Sequence, residues 1–178
     1  MALKTVRLLL WLPLIAFVAI VALVAGGLIH PHETVVRSRL IGQPLPGFTL
    51  PRAEGGAPLT PAALADGRPH LLNLFASWCV PCAAEAPQLR RLRAAGVPII
   101  GVAIRDRPQD LAAFLRETGN PYAMVARDDA AALQVALGSS GVPESFVIDG
   151  RGVIRYQHIG AIGPDQIALI LEQLRAAR

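Results

Sequence analysis

The sequence predicts an α/β fold in which a mixed central sheet is flanked by helices, and three features support this prediction. Strand-like apolar runs alternate with helical segments over most of the chain. One of these runs, at residues 70–75, leads into a Cys-x-x-Cys motif that opens a helical segment. The last two strand-like runs are joined by Asp-Gly-Arg-Gly at residues 149–152, a strong hairpin signal. Alternating strands and helices followed by a hairpin indicate a mixed sheet.

The N-terminal part of the chain carries a long apolar run. Residues 8–29 contain no charged side chain, and a helix needs about 20 such residues to cross a bilayer. A cleavable signal peptide is the alternative, with Ala-Gly-Gly at residues 25–27 as its cleavage site. The run is longer than the apolar region of about 7–15 residues that signal peptides have. We therefore predict an uncleaved transmembrane signal anchor at residues 8–29.

The orientation of this predicted anchor follows from the charges beside it. Lys4 and Arg7 precede the run, so the positive-inside rule places residues 1–7 in the cytoplasm. Arg37 and Arg39 follow the run and weaken the asymmetry, but a large trailing domain is translocated largely regardless of its charge. In a bacterium, the protein would then be a single-pass inner-membrane protein whose C-terminal domain faces the periplasm.

Residues 30–41 are polar and lack a helical or strand period, so we interpret them as a tether to a domain at residues 42–178. His30 and His32 could bind a metal ion, but no thiol lies near them in the sequence, and two imidazoles on a polar segment are more often part of a linker. A linker is the better interpretation of this pair. We predict no metal site.

The net charge of +4 and the pI of 9.8 raise the question of nucleic acid binding. Of 17 basic residues, two precede the apolar run, which leaves 15 against 13 acidic residues in the rest of the chain. Such a small surplus is typical of an ordinary solvated surface. We predict that the domain binds no nucleic acid.

Between the tether and the first buried strand, the chain is punctuated by proline and glycine. We predict short strands near residues 48–50 and 59–60. A helical turn at 60–64 would have Thr60 as its cap and Pro61 in its first position. The remaining elements follow from apolar periodicity and from glycine and proline stop signals. They are strands at 70–75, 97–104, 122–126, 144–148 and 153–158, and helices at 83–95, 106–118, 129–137 and 163–177.

The two cysteines are the only ones in the sequence, and they lie where a strand meets a helix. The partial positive charge of a helix N-terminus favours a thiolate at Cys79. We expect Cys79 to be exposed and to attack a disulfide, and Cys82, one turn further, to be buried and to resolve the mixed disulfide. We expect Trp78 to pack over the edge of this site; its plainer role is that of a core aromatic, and the two roles are compatible.

Two other uses of a Cys-x-x-Cys motif are weaker explanations. A structural zinc site generally has four ligands, and the sequence has no second cysteine pair, while His70 and His158 stand alone. A structural disulfide across so short a loop would remove little chain entropy. Redox chemistry at Cys79 and Cys82 is therefore the favoured interpretation.

Several motifs carry a more specific resemblance. Residues 78–82, Trp-Cys-Val-Pro-Cys after an apolar strand, resemble the active site of the thioredoxin fold. Residues 141–150, Gly-Val-Pro-Glu-Ser-Phe-Val-Ile-Asp-Gly, resemble the cis-proline region of the membrane-anchored thioredoxin-like proteins of cytochrome c maturation, the CcmG/DsbE type. Further matches are Asn73, Glu85, and residues 119–122 and 152–160. The resemblance extends from residue 42 to the C-terminus.

The resemblance implies roles for residues around the cysteines. Pro143 would be cis and lie beside the pair, so that Val142 could pair with an extended substrate; the alternative is an ordinary turn proline. Asn73 replaces the buried aspartate of thioredoxin, and an amide cannot accept a proton from the resolving thiol. The resemblance gives that role to Glu85 and Glu144. Their plainer interpretations are a first-turn helix glutamate and an exposed strand-edge charge, respectively.

The resemblance implies a periplasm-facing thiol–disulfide oxidoreductase that reduces apocytochrome c or a haem-ligation partner. Electrons would come from a thiol protein of the membrane, because the sequence lacks a dinucleotide-binding fingerprint. The redox-active Cys79–Cys82 disulfide would be the only redox group, with no cofactor. Family members often have proline directly after the first cysteine, whereas here Pro81 precedes the second, which leaves the reduction potential open.

Three alternatives to this function remain. The first is the same fold serving another client, such as copper-site assembly. The second is a Cu(I) metallochaperone with Cys79 and Cys82 as soft ligands, which the lack of a nearby Met or His disfavours. The third is a peroxidase, for which the sequence has no Thr-x-x-Cys motif.

Overall fold

A computed structural model describes residues 2–29 and 38–178. The chain divides between Val35 and Val36 into two compact units. In the first, helix α1 runs from Ala2 to Ile29 and contains Pro13. Judged on the described residues, none of the helices is long and apolar enough to cross a lipid bilayer. The predicted tether lies largely outside the described residues, and so do His30 and His32.

The second unit contains five strands and four further α-helices within the described residues. The strands are β1 (His70–Phe75), β2 (Ile99–Ile104), β3 (Met124–Asp128), β4 (Glu144–Ile148) and β5 (Ile154–Ile159). The helices are α2 (Val80–Ala94), α3 (Pro108–Thr118), α4 (Ala132–Ala136) and α5 (Ile167–Ala176), together with a 3₁₀ turn at Pro61–Leu64. Each of these elements overlaps a segment that the sequence predicts.

The strands form one sheet in the order β3-β2-β1-β4-β5. Strands β1, β2 and β3 are parallel to one another, whereas β4 is antiparallel to β1 and to β5. Every residue of β1, β2 and β4 is buried, as expected for strands that are covered on both faces. The prediction of a mixed sheet between helices is confirmed.

Alternate side chains of β1 supply two separate cores. Leu71 and Phe75 belong to the core that also contains the two cysteines and buried residues of α2, α3 and α5; we call this side of the sheet the cysteine face. Leu72 and Leu74 belong to a second core with buried residues of the lead-in segment and α4, on the opposite face. The period of two in a strand separates these two sets.

The lead-in segment makes the predicted antiparallel contact, a bridge between Leu50 and Leu59. Pro61 occupies the start of the 3₁₀ turn, as predicted, but Thr60 makes no side-chain cap hydrogen bond. Thr60 therefore occupies the predicted N-cap position, but its side chain does not cap the turn. A turn of only four residues leaves few free amides to cap, and Pro61 has removed one of them.

Candidate active site

The cysteine pair lies where the central strand β1 gives way to α2. Cys79 is the N-cap residue of this helix, and its Sγ accepts a hydrogen bond of 3.2 Å from the Cys82 backbone N–H. Cys79 and Cys82 are joined by a disulfide, with their Cα atoms 5.3 Å apart. The helix therefore starts at Val80, three residues before the predicted start, because the sulfur itself satisfies a first-turn amide.

The expectation that Cys79 is exposed is wrong for this oxidised state. The exposed fraction is only 5% for Cys79 and 2% for Cys82. Both belong to the core of the cysteine face, so the disulfide faces inwards. Trp78 and Val80, which flank Cys79, are instead exposed at 61% and 80%.

Trp78 is not a core aromatic, since most of its surface faces solvent. It lines an open cleft of about 530 Å³ together with Asp106 and Phe114. The nearly buried Asp106 accepts hydrogen bonds from the Ser77 backbone N–H (2.7 Å) and from Ser77 Oγ (2.6 Å). These two bonds attach the segment before Cys79 to the segment after β2.

Behind the cysteines, Glu85 is almost fully buried and belongs to a hydrogen-bonded network. Asn73 Nδ2 donates to Glu85 Oε1 (3.0 Å), and the Ile162 backbone N–H donates to Glu85 Oε2 (3.0 Å). Asn73 Nδ2 also donates to Ser145 Oγ (3.0 Å), and Tyr122 OH donates to Asn73 Oδ1 (2.8 Å). Glu85 lies beyond the first turn of α2, so the first-turn interpretation is wrong.

Burial raises the pKa of Glu85 to about 7, and the hydrogen bonds from Ile162 and Asn73 oppose that rise. A carboxyl with such a pKa exchanges a proton near neutral pH. Glu85 follows Cys82 by three residues on one helix, a spacing that places Cβ atoms about 5–6 Å apart. The position and the pKa together suit a proton acceptor for the Cys82 thiol.

The ring of Tyr122 is held by close aromatic packing. It stacks on Phe75 with ring centroids 4.6 Å apart, and Phe75 stacks on Phe114 at 5.7 Å. A Cβ on Gly101 would lie 2.8 Å from the Tyr122 ring and 2.9 Å from Phe75, so only glycine leaves room for this stack. Burial and then the Glu85 charge raise the pKa of Tyr122 well above its usual value. The hydroxyl therefore stays protonated and can donate.

Glu144 occupies a different environment from Glu85. Glu144 precedes Ser145 in β4, and because Ser145 bonds to Asn73 on the cysteine face, Glu144 is directed to the opposite face. Its carboxylate accepts from Ser139 Oγ (2.5 Å), from the Ser140 backbone N–H (3.2 Å) and from Gln157 Nε2. It is 1% exposed, so the interpretation as an exposed edge charge is wrong.

The Val142–Pro143 peptide bond is cis, as the resemblance implied. Pro143 is buried, and its carbonyl accepts a hydrogen bond of 3.1 Å from the Gly160 N–H. Val142 is half-buried and packs against both cores. Within the described residues its own N–H and C=O have no hydrogen-bond partner, so both groups can pair with an extended polypeptide.

The structure thus brings together part of the predicted site. Cys79, Cys82 and Glu85 share one face with Asn73, whereas Glu144 lies across the sheet. Sequence reasoning missed the roles of Tyr122, Ser145 and Ile162. Ser145 could have been found from strand register, because it pairs directly with Asn73. The backbone contact of Ile162 has no signal in the sequence.

No group of three or more metal-ligating side chains occurs in the described part of the chain. The dithiol chemistry of the site comes from Cys79 and Cys82 alone. A disulfide that caps a helix, with a titratable carboxyl behind it and free backbone groups beside a cis proline, can exchange with a disulfide in another polypeptide. The protein is accordingly a thiol–disulfide oxidoreductase of the thioredoxin fold.

Comparisons with known proteins agree with this class. The Redoxin family matches residues 40–170. Thiol:disulfide interchange protein DsbE of Escherichia coli K12 is 40% identical over 163 residues, which cover 89% of this chain and 88% of the relative. DsbE of Pseudomonas fluorescens biotype C is 40% identical over 88% of this chain and 86% of the relative.

A solved thiol:disulfide interchange protein of the thioredoxin family from Chlorobium tepidum matches with a TM-score of 0.61 and 25% identity. The match covers 75% of this chain and 94% of the other. The chain belongs to the DsbE family of thiol:disulfide interchange proteins.

Proposed function

We propose that the protein reduces disulfides in apocytochrome c or in a haem-ligation partner during cytochrome c biogenesis. The observation that carries this proposal is the oxidised Cys79–Cys82 pair at the start of α2, on the same face as the titratable Glu85. Haem is attached to c-type cytochromes through a Cys-x-x-Cys-His motif. Those cysteines must be reduced, although the bacterial periplasm is kept oxidising.

The reaction would proceed by two thiol–disulfide exchanges. In the reduced protein, the Cys79 thiolate attacks a client disulfide, a mixed disulfide forms and one client thiolate leaves. Cys82 loses its proton and attacks Cys79 Sγ, which breaks the bond to the client and releases its second thiolate. Two electrons pass to the client, and the Cys79–Cys82 disulfide of the structure results.

A second reductant must then regenerate the thiols. We propose that electrons come from a thiol protein of the membrane, because the thiol pair itself can accept them by the same exchange. The protein would act at the periplasmic side of a bacterial inner membrane, anchored by residues 8–29. This location is supported by the uncharged run at those residues and by the basic residues that precede it.

The client can be identified by trapping. A Cys82→Ser variant attacks with Cys79 but cannot resolve the mixed disulfide, so the client stays covalently bound. We expect apocytochrome c or haem-ligation proteins among the products, identified by mass spectrometry after non-reducing purification. The Cys79→Ser/Cys82→Ser double variant is the control and should trap none of them. Recovery of only copper-site proteins would contradict the cytochrome assignment.

A peptide assay tests client choice directly. The reduced protein should reduce an oxidised Cys-x-x-Cys-His peptide faster than a peptide of the same composition with more widely spaced cysteines. Equal rates for both peptides would instead indicate a general disulfide reductase. Stoichiometric Cu(I) binding without any reductase activity would indicate a metallochaperone.

A further inference from the structure

A chain of hydrogen bonds runs from Tyr122 through Asn73 to Glu85, and each residue in it donates to the next. Its hydroxyl donates to Asn73 Oδ1 at 2.8 Å, and Asn73 Nδ2 donates to Glu85 Oε1 at 3.0 Å. Asn73 is fully buried, Tyr122 is 5% exposed and Glu85 is 1% exposed. Water therefore cannot replace any of these bonds without opening the core.

The Tyr122 hydroxyl decides which end of the Asn73 amide faces Glu85. A hydroxyl that donates to Oδ1 leaves the NH₂ group to point at the carboxylate. Donation into Oδ1 also polarises the amide and strengthens the hydrogen bond that its NH₂ group donates. A hydrogen bond to the charged form of a carboxyl lowers its pKa, so this arrangement favours ionised Glu85.

We propose that Tyr122, acting through Asn73, is a positioning residue that keeps Glu85 ready to accept the proton of Cys82. The inference rests on the proposed exchange reaction and assigns a role to a residue outside the Cys79–Cys82 pair. In the resolving step the Cys82 S–H proton moves to a Glu85 oxygen. The Cys82 thiolate then forms a bond to Cys79 Sγ, and the client leaves as a thiolate that takes a proton from water.

Other ionisable groups near Glu85 could also change the rate with pH, so a test must distinguish their ionisation from that of Glu85. Helix α2 contributes Cys82 itself, β1 contributes neutral Asn73 and β4 contributes neutral Ser145. Strand β5 contributes His158, the register partner of Ser145, whose ring Nε2 lies 3.5 Å from the Ala161 carbonyl oxygen.

On the α5 side, the segment before the helix contributes the Ile162 amide, and the nearby Asp165 is exposed. His158 carries an ionisable ring on the same face of the sheet as Ser145. A test must therefore observe Glu85 by itself as well as the reaction.

The kinetic test uses the full-length reduced protein and an aromatic disulfide that releases a coloured thiol. Attack by Cys79 releases the first equivalent, and resolution by Cys82 releases the second. In the wild type, the rate of the second phase should rise as Glu85 ionises around its pKa of about 7. In Tyr122→Phe, the midpoint should move upwards by about half to one pH unit, the effect of one lost hydrogen bond.

The first phase is the internal control, because Tyr122→Phe should leave its rate and pH dependence unchanged. Tyr156→Phe is the matched variant: Tyr156 packs against the same core, and its hydroxyl has no hydrogen bond within the described residues. It should shift neither phase. An unchanged second-phase midpoint in Tyr122→Phe, or an equal shift in both phases, would overturn the inference. The absence of two phases in the wild type would instead contradict the proposed reaction.

A second measurement does not depend on activity. In the oxidised protein the cysteines do not titrate, so the Glu85 carboxyl can be followed by ¹³C NMR. Tyr122→Phe should raise its pKa by the same half to one unit, on the order of one lost hydrogen bond, and Tyr156→Phe should not. The phenylalanine ring can still stack on Phe75, so the variant keeps the aromatic packing of residue 122. An unshifted Glu85 resonance in Tyr122→Phe would overturn the inference even if the kinetics changed.

Discussion

Glu85 couples the stability of the domain to pH. Its pKa rises from 4.5 to about 7 because it is buried, so between these values the folded state binds more protons than the unfolded state. Stability therefore falls as the pH increases through this window and is greatest below it. The proposed exchange reaction needs ionised Glu85, so the protein would work at the pH where this residue destabilises it.

Glu85→Gln should remove the loss of stability that accompanies the ionisation of Glu85. At about pH 8 the variant should have a free energy of unfolding higher than the wild type by up to about 3 kcal/mol, because no charge remains buried. At about pH 4 the two proteins should differ little. Urea unfolding of the oxidised proteins at both pH values measures the difference. A stability gap that stays the same at both pH values would show that Glu85 is not the titrating group.

Sequence reasoning could name Cys79, Cys82 and Glu85 because each belongs to a short local motif. It could not anticipate that Cys79 is buried, since the position of an oxidised sulfur depends on how α2 packs on the sheet. Tyr122 lies 49 residues from Asn73 in sequence. The two meet only in the assembled sheet. Gly101 of β2 is the register partner of Asn73, and the Tyr122 ring packs against it.

Hydrogen bonds that begin at Gln157 of strand β5 fix the segment between α4 and β4. Gln157 of β5 accepts from the Ser38 backbone N–H at 2.7 Å and donates to Glu144. Glu144 in turn accepts from Ser139 and Ser140. This chain of bonds fixes the segment that carries Val142, where an extended client would pair. The segment proposed to bind clients is thus braced by residues across the sheet from the cysteines.

Gln157→Leu should remove the hydrogen bonds to Ser38 and Glu144 and leave Cys79 and Cys82 unchanged. We expect KM for a disulfide-containing protein client to rise several-fold while kcat stays within about twofold, because binding and not chemistry is weakened. Reduction of a small aromatic disulfide should be unchanged. Gln173→Leu on α5, whose side chain makes no hydrogen bond in the described structure, is the control. A fall in kcat with constant KM would contradict this role.

Helix ends were less predictable than helix interiors. Helix α5 begins at Ile167, four residues after the predicted start at Gly163. The Gly163 N–H donates to Gln166 Oε1 at 2.8 Å, and the Gln166 N–H donates to the Gly163 carbonyl at 3.1 Å. These bonds close a separate turn before the helix. Apolar periodicity locates the buried face of a helix, whereas such local bonds decide where it begins.

At the scale of the whole molecule, the sheet divides the functions between its two faces. The cysteine face carries the disulfide and the proposed proton acceptor Glu85, and the opposite face carries the hydrogen bonds of Glu144. The sequence predicted the order of strands and helices because alternating patterns are strong. It could not assign the two glutamates to faces, because that requires the register of β4 against β1.

The predicted anchor can be tested on the complete chain. Expressed in a Gram-negative host, the protein should sediment with membranes and resist alkaline extraction, since about 20 apolar residues hold a helix in the bilayer. The domain should become protease-sensitive only when the outer membrane is opened. A variant with two aspartates inside residues 8–29 is the control for insertion. Release of a shortened protein by osmotic shock would indicate a cleaved signal peptide instead.

The burial of the disulfide affects which thiols can reduce it. An attacking thiolate must reach a sulfur, yet little surface of Cys79 or Cys82 is open to solvent in the oxidised protein. Small thiols that diffuse past therefore meet Trp78 and Val80, which project outwards, more often than sulfur. A donor protein shaped to fit around these two side chains would react faster than its concentration alone predicts. We therefore expect the disulfide to exchange more slowly with small thiols than with a donor protein that fits around Trp78 and Val80.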